Sequence, residues 1–419
     1  MTEAVTPPPA GGAQGLMRRI LAFAGIPFLS LLAPFLFLPA LARVAGADAW
    51  VAIALGQSIG GFAALVAGLG YPTLAPPRVA LAHALDRRRI VATSLHARVP
   101  VWIVAAIAAA FIAYLVAPAS HRGEAVAMAI VMSAAALSPT WYWIGVGRAL
   151  PILAAEVVPR MLASLAATVV LLSGGGAIWY PLLLAVAMIA GPAWVYVRIA
   201  GSELISVSRA EVAGVLRAHP PAIVAESAAG AYNALAVTLV AAVAPVMQAA
   251  AYVSGDKTYR IGQYAVSSLG NALQGWVAEG LREPALLVHR IRVAVILHAG
   301  LGTAGLLAFA TLGPWLTRLL FGESVAIDLP TALGFGVATL GIALGTACGR
   351  IGLITLGARR TFMFCVLAAS GLGVAGLLAG GTLWGAAGAA WGLGIAELAS
   401  GVGQGLLLLG LLRRSSSSS

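Results

Sequence analysis

Long apolar runs, separated by short polar or Pro/Gly-containing breaks, follow one another along the chain. A helix of about 20 residues is about 30 Å long, which matches the hydrocarbon core of a bilayer. Twelve such runs predict an all-α polytopic membrane protein with about twelve transmembrane helices. They cover residues 20–41, 49–70, 97–117, 124–146, 151–173, 178–198, 220–246, 252–277, 291–316, 326–348, 361–380 and 385–412, and the last is long enough to contain a kink.

The eighth run differs from the others because polar residues follow one face of it. At about 100° per residue, they fall within a strip of about 80°. These residues are Asp256, Arg260, Gln263, Ser267, Asn271 and Gln274. A polar stripe that crosses the full depth of a bilayer must face water or a hydrophilic ligand rather than lipid. The stripe therefore predicts one wall of a transport pathway.

The composition agrees with a membrane protein. Hydrophobic residues make up 61% of the 419, charged residues make up 9%, and the mean hydropathy is +0.96. A soluble domain has about 25% charged residues. The two cysteines, Cys348 and Cys365, lie in apolar surroundings and lack the spacing of a metal site or a disulfide framework. We therefore expect neither a cofactor nor a metal.

The basic residues indicate the orientation in the membrane. If the N-terminus is cytoplasmic, most arginines fall in inner loops or at inner helix ends, whereas Arg43, Arg122 and Arg318 fall outside. The positive-inside rule then predicts that both termini lie in the cytoplasm. The formal charge of +11 is mainly this topology signal, and nucleic acid is not expected as a partner.

A weak internal repeat divides the chain into halves. Pro39 matches Pro245, and the Gly56-Gln57 pair matches the Gly262-Gln263 pair, at one offset of 206 residues, although chance also explains three matches in so Ala/Gly/Leu-rich a chain. An even number of spans in each half would make the repeat parallel. We predict an N-lobe (20–198), an amphipathic cytoplasmic connector (199–219) and a C-lobe (220–412) around a central cavity. Residues 1–19 would be a disordered cytoplasmic N-terminus and residues 413–419 a cytoplasmic tail.

The charges inside the predicted membrane region favour an anionic, sugar-bearing ligand. One uncompensated charge at the bilayer centre costs about 2.5 to 3.5 kcal/mol, so Asp256, Lys257 and Arg260 must be paired, hydrated or functional. Asp256 and Arg260 are four residues apart and can pair, which leaves Lys257 without a local partner. The two cations could bind a diphosphate. Sugar hydroxyls would then meet the amides and hydroxyl of Gln263, Ser267, Asn271, Gln274 and Asn233. The alternative is a structural salt-bridge cluster at the external mouth.

Three carboxylates are candidates for coupling transport to H⁺ or Na⁺. Glu226 shares a helix face with Asn233, and it is either a partner for the cations of the eighth span or a group that takes up protons. Asp256 is the second candidate. Glu397 is the third, although hydrogen bonding to neighbouring helices, together with Ser400 and Gln404, explains it equally simply.

Two further features have a structural and a functional interpretation. Glu156 and Arg160 are four residues apart in the fifth span, and they either lock a pair of helices or contribute to the cavity. Trp141, Tyr142 and Trp143 form an interfacial aromatic belt or packing element, or else a platform on which a sugar stacks.

The segments 39–59, 138–160 and 252–263 together resemble the polysaccharide flippases, which include the O-antigen and exopolysaccharide flippases, of the multidrug/oligosaccharidyl-lipid/polysaccharide (MOP) exporter superfamily. This resemblance implies a protein of the bacterial cytoplasmic membrane. PALARVAGADAWVAIALGQSI (39–59) is similar to the junction of the first two helices of that family. SPTWYWIGVGRALPILAAEVVPR (138–160) resembles its Pro-x-Trp-aromatic-x-x-Gly segment and the charged fifth helix. YVSGDKTYRIGQ (252–263) is similar to the start of its eighth helix. The resemblance implies two six-helix lobes, with the first, second, seventh and eighth helices lining the cavity.

The resemblance also implies a substrate, namely an undecaprenyl-diphosphate-linked oligosaccharide. We therefore expect a flippase, not an enzyme, that moves this lipid to the outer leaflet by alternating access, for surface polysaccharide biosynthesis. Membrane lipid, and the glycosyltransferases and polymerase of the same pathway, would be its partners. Three alternatives remain: a multidrug cation antiporter of the same superfamily, a polymerase or ligase acting on the same lipid, and a scaffold subunit of an export complex.

Overall fold

The computed structural model describes residues 33–218 and 220–417, with the side chains of 218, 220–230, 282, 284 and 414–417 left out of the description. These residues are almost entirely helical, and no strand occurs among them. The predicted disordered segment 1–19 lies outside the described residues, as do the last two serines. The all-α prediction is confirmed.

The first half of the chain forms the N-lobe. Its helices α1 to α9 are Leu38–Val44, Gly46–Ala67, Tyr71–Leu81, Ala84–Val116, Arg122–Ser133, Thr140–Val146, Leu150–Ile152, Val158–Leu172 and Trp179–Ala200. Short 3₁₀ turns occur at Ala119–His121 and Ala134–Leu137, and a π-helical turn occurs at Leu153–Val157. Most of these helices expose large apolar side chains on their outer surface, as helices in contact with lipid do.

The second half forms the C-lobe after a connector of two short helices. The connector contains α10 (Glu203–Ser206) and α11 (Arg209–Ala218). The C-lobe contains α12 to α16, which are Pro220–Val243, Val246–Ala278, Pro284–Phe321, Leu329–Gly345 and Arg359–Ser417. A π-helical turn at Thr346–Leu353 continues α15, and 3₁₀ turns occur at Glu279–Arg282 and Glu323–Val325.

Helix α16 consists of two helical arms rather than one continuous helix. Trp384 and Gly385 leave the helical conformation, with φ of 58° at Gly385, so the chain reverses there. On either side, Gly376 meets Gly392 and Gly380 meets Gly388, backbone against backbone. The predicted boundary between the last two spans, residues 380 to 385, coincides with this reversal. The second arm continues to Ser417, past the predicted end at Leu412.

Eight helical stretches of the described chain are long and apolar enough to cross a membrane. The last of them, Arg359–Arg413, contains the reversal within α16, and Ala33–Val44 and Ala231–Val243 are shorter apolar helices. Helix α13 is long enough to cross at 33 residues, but it carries the charges of the polar stripe. Together these stretches agree with the predicted twelve crossings. Helix α4 begins at Ala84, before the span predicted at 97–117, because its arginine-rich first turns continue the helix beyond the apolar segment.

The matching glycines of the two halves occupy matching places. Gly56 of α2 packs against α5, where a β-carbon would lie 2.5 Å from the Ala125 carbonyl oxygen and 2.7 Å from the Met128 β-carbon. Gly262 of α13 faces α15, where a β-carbon would lie 3.4 Å from the Thr339 methyl. In terms of the predicted spans, the second packs on the fourth in one half (α2 on α5), and the eighth packs on the tenth in the other (α13 on α15). The two glycines therefore each face the helix that lies two membrane-length stretches further along the chain, and the parallel repeat stays a prediction.

The connector is attached to the N-lobe. Arg89 of α4 donates to both carboxylate oxygens of Glu211 at 2.9 and 2.7 Å and to Glu203 at 3.0 Å. Apolar connector residues such as Leu204 and Val212 pack against the same part of the N-lobe. The apolar side chains of the connector thus face the protein.

The lobes touch near one end of the bundle, which we call the closed end; it contains residues 45, 117–118, 173–178, 244–245, 322–328 and 384–385. There Arg43 donates to the Leu319 carbonyl, and Trp50 packs against Phe321 with ring centroids 5.1 Å apart. Trp50 also donates to the Ala250 carbonyl at 3.1 Å. The opposite end carries the connector, and we call it the connector end.

Candidate functional site

A cavity of about 390 Å³ lies between the lobes, deeper in the bundle than the contacts at the closed end. Its volume is within the range of about 300 to 1,000 Å³ that is usual for small-molecule sites. From the N-lobe, the cavity is lined by residues 33–38 at the start of α1, by α2, by the end of α5, and by α8 and α9, and from the C-lobe by α12 and α13. The polar lining residues are Gln57, Ser58, Arg160, Ser164, Tyr180, Asp256, Lys257, Arg260 and Tyr264. The cavity therefore contains groups from both lobes.

Arg260 is held on the C-lobe side by its own helix and by α12. Its guanidinium lies 3.2 and 3.3 Å from the two carboxylate oxygens of Asp256, which is buried. It also donates to the Asn233 backbone carbonyl at 2.7 Å. The sequence predicted this i,i+4 ion pair, and the structure contains it. About a third of the Arg260 side chain, 32%, stays exposed toward the cavity.

Lys257 has a neutral partner from the opposite lobe. Its ammonium donates to the side-chain carbonyl oxygen of Gln57 at 2.8 Å. Gln57 belongs to the glycine–glutamine pair of α2 and lies beside Ser58, which donates to the Ala234 carbonyl at 2.6 Å. Near its midpoint, α2 therefore contacts the C-lobe through two uncharged side chains of its own, Gln57 and Ser58. The sequence correctly left Lys257 without a partner on its own helix, but it could not supply the partner from the other lobe.

The N-lobe side of the cavity contains a second acid–base pair. Pro159 has no N–H for the Ala155 carbonyl, and the chain forms the π-helical turn Leu153–Val157 at this point. The turn places Glu156 inside the lobe, where it accepts from Ser138 at 2.8 and 2.9 Å and from Thr140 at 2.7 Å. Arg160 reaches Glu156 at 3.1 Å and lines the cavity. Glu156 thus ties its own helical turn to Ser138 and Thr140, while Arg160 contributes to the cavity.

The remaining residues of the predicted polar stripe lie outside this cavity lining. Gln263 donates to the Asn233 side chain at 3.3 Å, about a turn beyond Arg260. Asn271 accepts from Arg350 at 2.6 Å, nearer the connector end. Ser267 and Gln274 are partly exposed on the same helix. The structure therefore gathers Asp256, Lys257 and Arg260 in the cavity and extends the other stripe residues along α13 toward the connector end.

The three candidate coupling carboxylates have different surroundings. Asp256 lines the cavity and pairs with Arg260. Glu397 is buried within the C-lobe, where the hydroxyl of Tyr232 from α12 donates to it. Gln404 donates to Ser400 at 3.0 Å, one turn away. The side chain of Glu226 lies outside the described residues.

One buried cation was missed by sequence reasoning. The position of Arg98 near an inner helix end predicts an exposed arginine of the topology signal, but its side chain is fully buried inside the N-lobe. It lies over the rings of Tyr71, Trp141 and Tyr196, 5.1 to 5.9 Å from their centroids, and donates to the Ala136 carbonyl at 2.5 Å. Trp141 is thus a packing element, as one of the two interpretations held. Local sequence could not reveal this, because the three rings come from three other helices.

No family model matches the chain, and neither does any curated protein sequence. Solved structures do match it along nearly its whole length. The inward-facing conformation of a multidrug resistance MATE family transporter of the MOP superfamily has a TM-score of 0.70 at 15% identity, covering 93% of this chain and 96% of that one. The chain has the fold of the MOP superfamily.

Two further MOP structures show how widely this fold is shared. The lipid II flippase MurJ, in an inward closed conformation, has a TM-score of 0.65 at 11% identity, over 93% of this chain and 86% of that one. A MOP superfamily transporter from Pyrococcus furiosus, described as having a binding pocket of reverse polarity, has a TM-score of 0.56 at 16% identity, covering 95% of this chain and 94% of that one. At these identities the likeness establishes the MOP fold of a multi-pass membrane protein, as the sequence resemblance implied.

Proposed function

We propose that the protein is a flippase that moves a lipid-linked oligosaccharide, joined to its undecaprenyl carrier through a diphosphate, across the membrane by alternating access. The observation that carries this proposal is the charge of the cavity. Arg160, Lys257 and Arg260 line it with one lining carboxylate, Asp256. Even when Glu156 behind Arg160 is included, three cations face two anions. A diphosphate would supply the missing negative charge.

Lys257 supports the proposal most directly. An ammonium taken out of water is stable only with good hydrogen bonds or a counter-ion. Here its partner is the amide of Gln57, which is a weaker partner than a phosphate oxygen. An anionic headgroup would bind Lys257 in preference to Gln57, and Arg260 would stand one helical turn away on the same wall. Polar side chains further along α13, among them Gln263, Ser267, Asn271 and Gln274, would contact the sugars.

The direction of transport follows from the predicted topology. We propose that the connector end is cytoplasmic, as the arginine distribution indicates, and that both termini lie there. The closed end would then face outward, and the structure would be an inward-facing state. A diphosphate with about two negative charges is stabilised by about 2.3 kcal/mol per charge per 100 mV when it moves outward, because an inside-negative potential repels anions from the cytoplasmic side. The membrane potential would therefore drive part of the step.

Ion coupling would serve mainly to return the carrier to its inward-facing state. Asp256, Glu397 and Glu226 remain the candidate carboxylates for H⁺ or Na⁺. Glu397→Gln keeps an acceptor for the Tyr232 hydroxyl but fixes the neutral form. If Glu397 takes up the ion, this variant should bind the lipid but should no longer respond to a pH or sodium gradient in proteoliposomes. A retained response would redirect the search to Asp256 and Glu226.

A multidrug exporter is the second candidate, because the MATE transporter shares the fold. A cationic drug would need Asp256 as its counter-ion. However, Asp256 is already bound by Arg260 and stands next to Lys257. Three cations in the lining oppose the entry of another cation, so the charge of the cavity favours the anionic lipid.

The test is lipid flipping by the purified protein in proteoliposomes that contain a fluorescent undecaprenyl-diphosphate-linked sugar. Wild type should move the probe to the leaflet that dithionite reaches. Lys257→Gln should slow this by about tenfold or more, because a charge-assisted hydrogen bond contributes about 1.5 to 3 kcal/mol. Arg318→Gln is the control, because Arg318 pairs with Glu323 near the closed end, outside the cavity lining.

Two outcomes would contradict the proposal. Equal flipping by wild type and Lys257→Gln would remove Lys257 from the pathway. Transport of ethidium by wild type, without movement of the lipid probe, would favour the multidrug exporter.

A further inference from the structure

Glu156 and Arg160 are unequal partners, although they form one ion pair. Glu156 has two other donors, the hydroxyls of Ser138 and Thr140, at 2.7 to 2.9 Å. Arg160 has one bond to Glu156, at 3.1 Å, and its Nε makes no hydrogen bond to the described protein. If Arg160 turned toward another anion, Glu156 would remain hydrogen-bonded and Arg160 would give up a single contact.

The exposure of the two side chains agrees with this asymmetry. The Glu156 side chain is 6% exposed, whereas that of Arg160 is 25% exposed. Arg160 lines the cavity and Glu156 does not. Ser138, which fixes Glu156, is itself reached by the buried Arg98, which donates to its backbone carbonyl at 3.4 Å. Glu156 is thus anchored in the N-lobe, and it holds Arg160 at the cavity surface.

The C-lobe presents a similar pair to the same cavity. Asp256 is buried, Arg260 is partly exposed, and the two belong to one face of α13. Guanidinium groups from opposite lobes therefore line one cavity, with Lys257 bound to Gln57 between the lobes. A ligand with two linked phosphates can satisfy groups on both sides at once, whereas a single phosphate has fewer oxygens to share between them.

We propose that Arg160 is a binding residue for the anionic ligand, and that the ligand bridges the lobes with one phosphate on Arg160 and the other on Lys257 and Arg260. Glu156 is the positioning residue for Arg160. This inference rests on the proposed function and deepens it, because it assigns a diphosphate site to both lobes rather than to α13 alone. Binding would draw Lys257 away from Gln57 and replace a contact between the lobes by the ligand itself.

The test uses the full-length protein in detergent, with inorganic pyrophosphate and orthophosphate as probes at matched ionic strength, and with binding measured by calorimetry. Wild type should prefer pyrophosphate by about tenfold or more, the effect of one charge-assisted contact. The double variant Glu156→Gln/Arg160→Gln removes both charges without leaving a buried carboxylate unpaired. It should lose most of this preference while still binding both probes weakly. The matched control is Arg318→Gln/Glu323→Gln, which removes an exposed pair near the closed end and should keep the preference.

Glu156→Gln alone gives a result of opposite sign. It keeps acceptors for Ser138 and Thr140 but releases Arg160 from its counter-ion. Pyrophosphate should therefore bind more tightly than to wild type. A purely structural role for the pair predicts unchanged or weaker binding. The measurement on Glu156→Gln alone remains informative if the double variant does not fold.

The outcomes separate this inference from the proposed function. If the double variant keeps the preference for pyrophosphate while Lys257→Gln weakens binding of both probes, Arg160 is not a ligand contact, but the anionic cavity stands. If neither variant changes binding, or if wild type binds no pyrophosphate, the site and the proposed flippase function both fail.

Discussion

The two lobes share a helical plan, but each buries a charged side chain in surroundings that the other lobe does not repeat. The N-lobe buries Arg98 among three aromatic rings and backbone carbonyls. The C-lobe buries Glu397, which accepts from Tyr232 between α12 and α16. A repeated backbone therefore does not impose repeated chemistry, and the polar interior of each lobe is specific to that lobe. The cation of the N-lobe connects through Ser138 and Glu156 to the cavity, whereas Glu397 lies outside the cavity lining.

The largest expected effect comes from removing the buried cation of the N-lobe. Arg98→Ala leaves the carbonyls of Ala136 and Ser138 without this donor, and each buried unsatisfied group costs about 1 to 3 kcal/mol. With the lost packing on three rings, we expect a loss of about 3 to 5 kcal/mol in the free energy of unfolding. Thermal unfolding of the purified protein, followed by tryptophan fluorescence, measures it.

Two further variants complete the comparison of the lobes. Arg88→Ala, at an exposed position on the same helix, should change the unfolding temperature little. Glu397→Gln keeps the hydrogen bond from Tyr232 and should lower the free energy of unfolding by less than about 1 kcal/mol. If Arg98→Ala were as mild as Glu397→Gln, the two buried charges would not differ in their structural role.

A smaller effect should distinguish the matching glycines of the repeat. Gly56→Ala places a β-carbon 2.5 Å from the Ala125 carbonyl oxygen, so α2 and α5 must separate, at a cost of about 1 to 3 kcal/mol. Gly262→Ala meets the Thr339 methyl at 3.4 Å, an ordinary van der Waals distance, and alanine favours the helix by about 1 kcal/mol. Gly262→Ala should therefore leave the unfolding temperature unchanged or raise it. Equal destabilisation by the two substitutions would show that the halves pack more alike than the structure indicates.

The smallest effect concerns the attachment of the connector to the N-lobe. The backbone N–H of Ser208, followed by the Arg89 side chain, lowers the pKa of Glu211 from 4.5 to about 2. A lowered pKa stabilises the folded state above the ordinary pKa, and this contribution is lost as the pH falls through the lowered value. Attachment should therefore persist from pH 7 to about pH 4 and weaken toward pH 2. The attachment can be measured as the distance between spin labels at positions 85 and 210, in a chain whose Cys348 and Cys365 have been replaced.

An Arg89→Gln variant provides the control for that measurement. It removes the ionic bonds to Glu211 and Glu203, so the label distance should broaden already at pH 7. A connector that stays attached in this variant would depend on its apolar contacts alone.

Much of the fold could be predicted from the sequence, because apolar runs of membrane length and the polar face of α13 are local signals. The Asp256–Arg260 pair could be predicted for the same reason, since a spacing of four residues brings two side chains to one face of a helix. The Lys257–Gln57 contact and the rings around Arg98 depend on packing between distant helices, which local patterns do not encode. The length of α4 was missed because hydropathy detects the apolar part of a helix and not its continuation into water.

The reversal at Trp384 and Gly385 has a consequence for how the chain enters the membrane. Only two residues separate the arms of α16, and glycines bring their backbones together. The first arm alone would expose this small-residue face to lipid, whereas the pair hides it. We therefore expect the arms to insert as a helical hairpin during synthesis. The first arm alone (359–384), fused to a soluble carrier without the earlier helices, should resist alkaline extraction from membranes less well than both arms together (359–417). Equal resistance would mean that the arms insert one after the other.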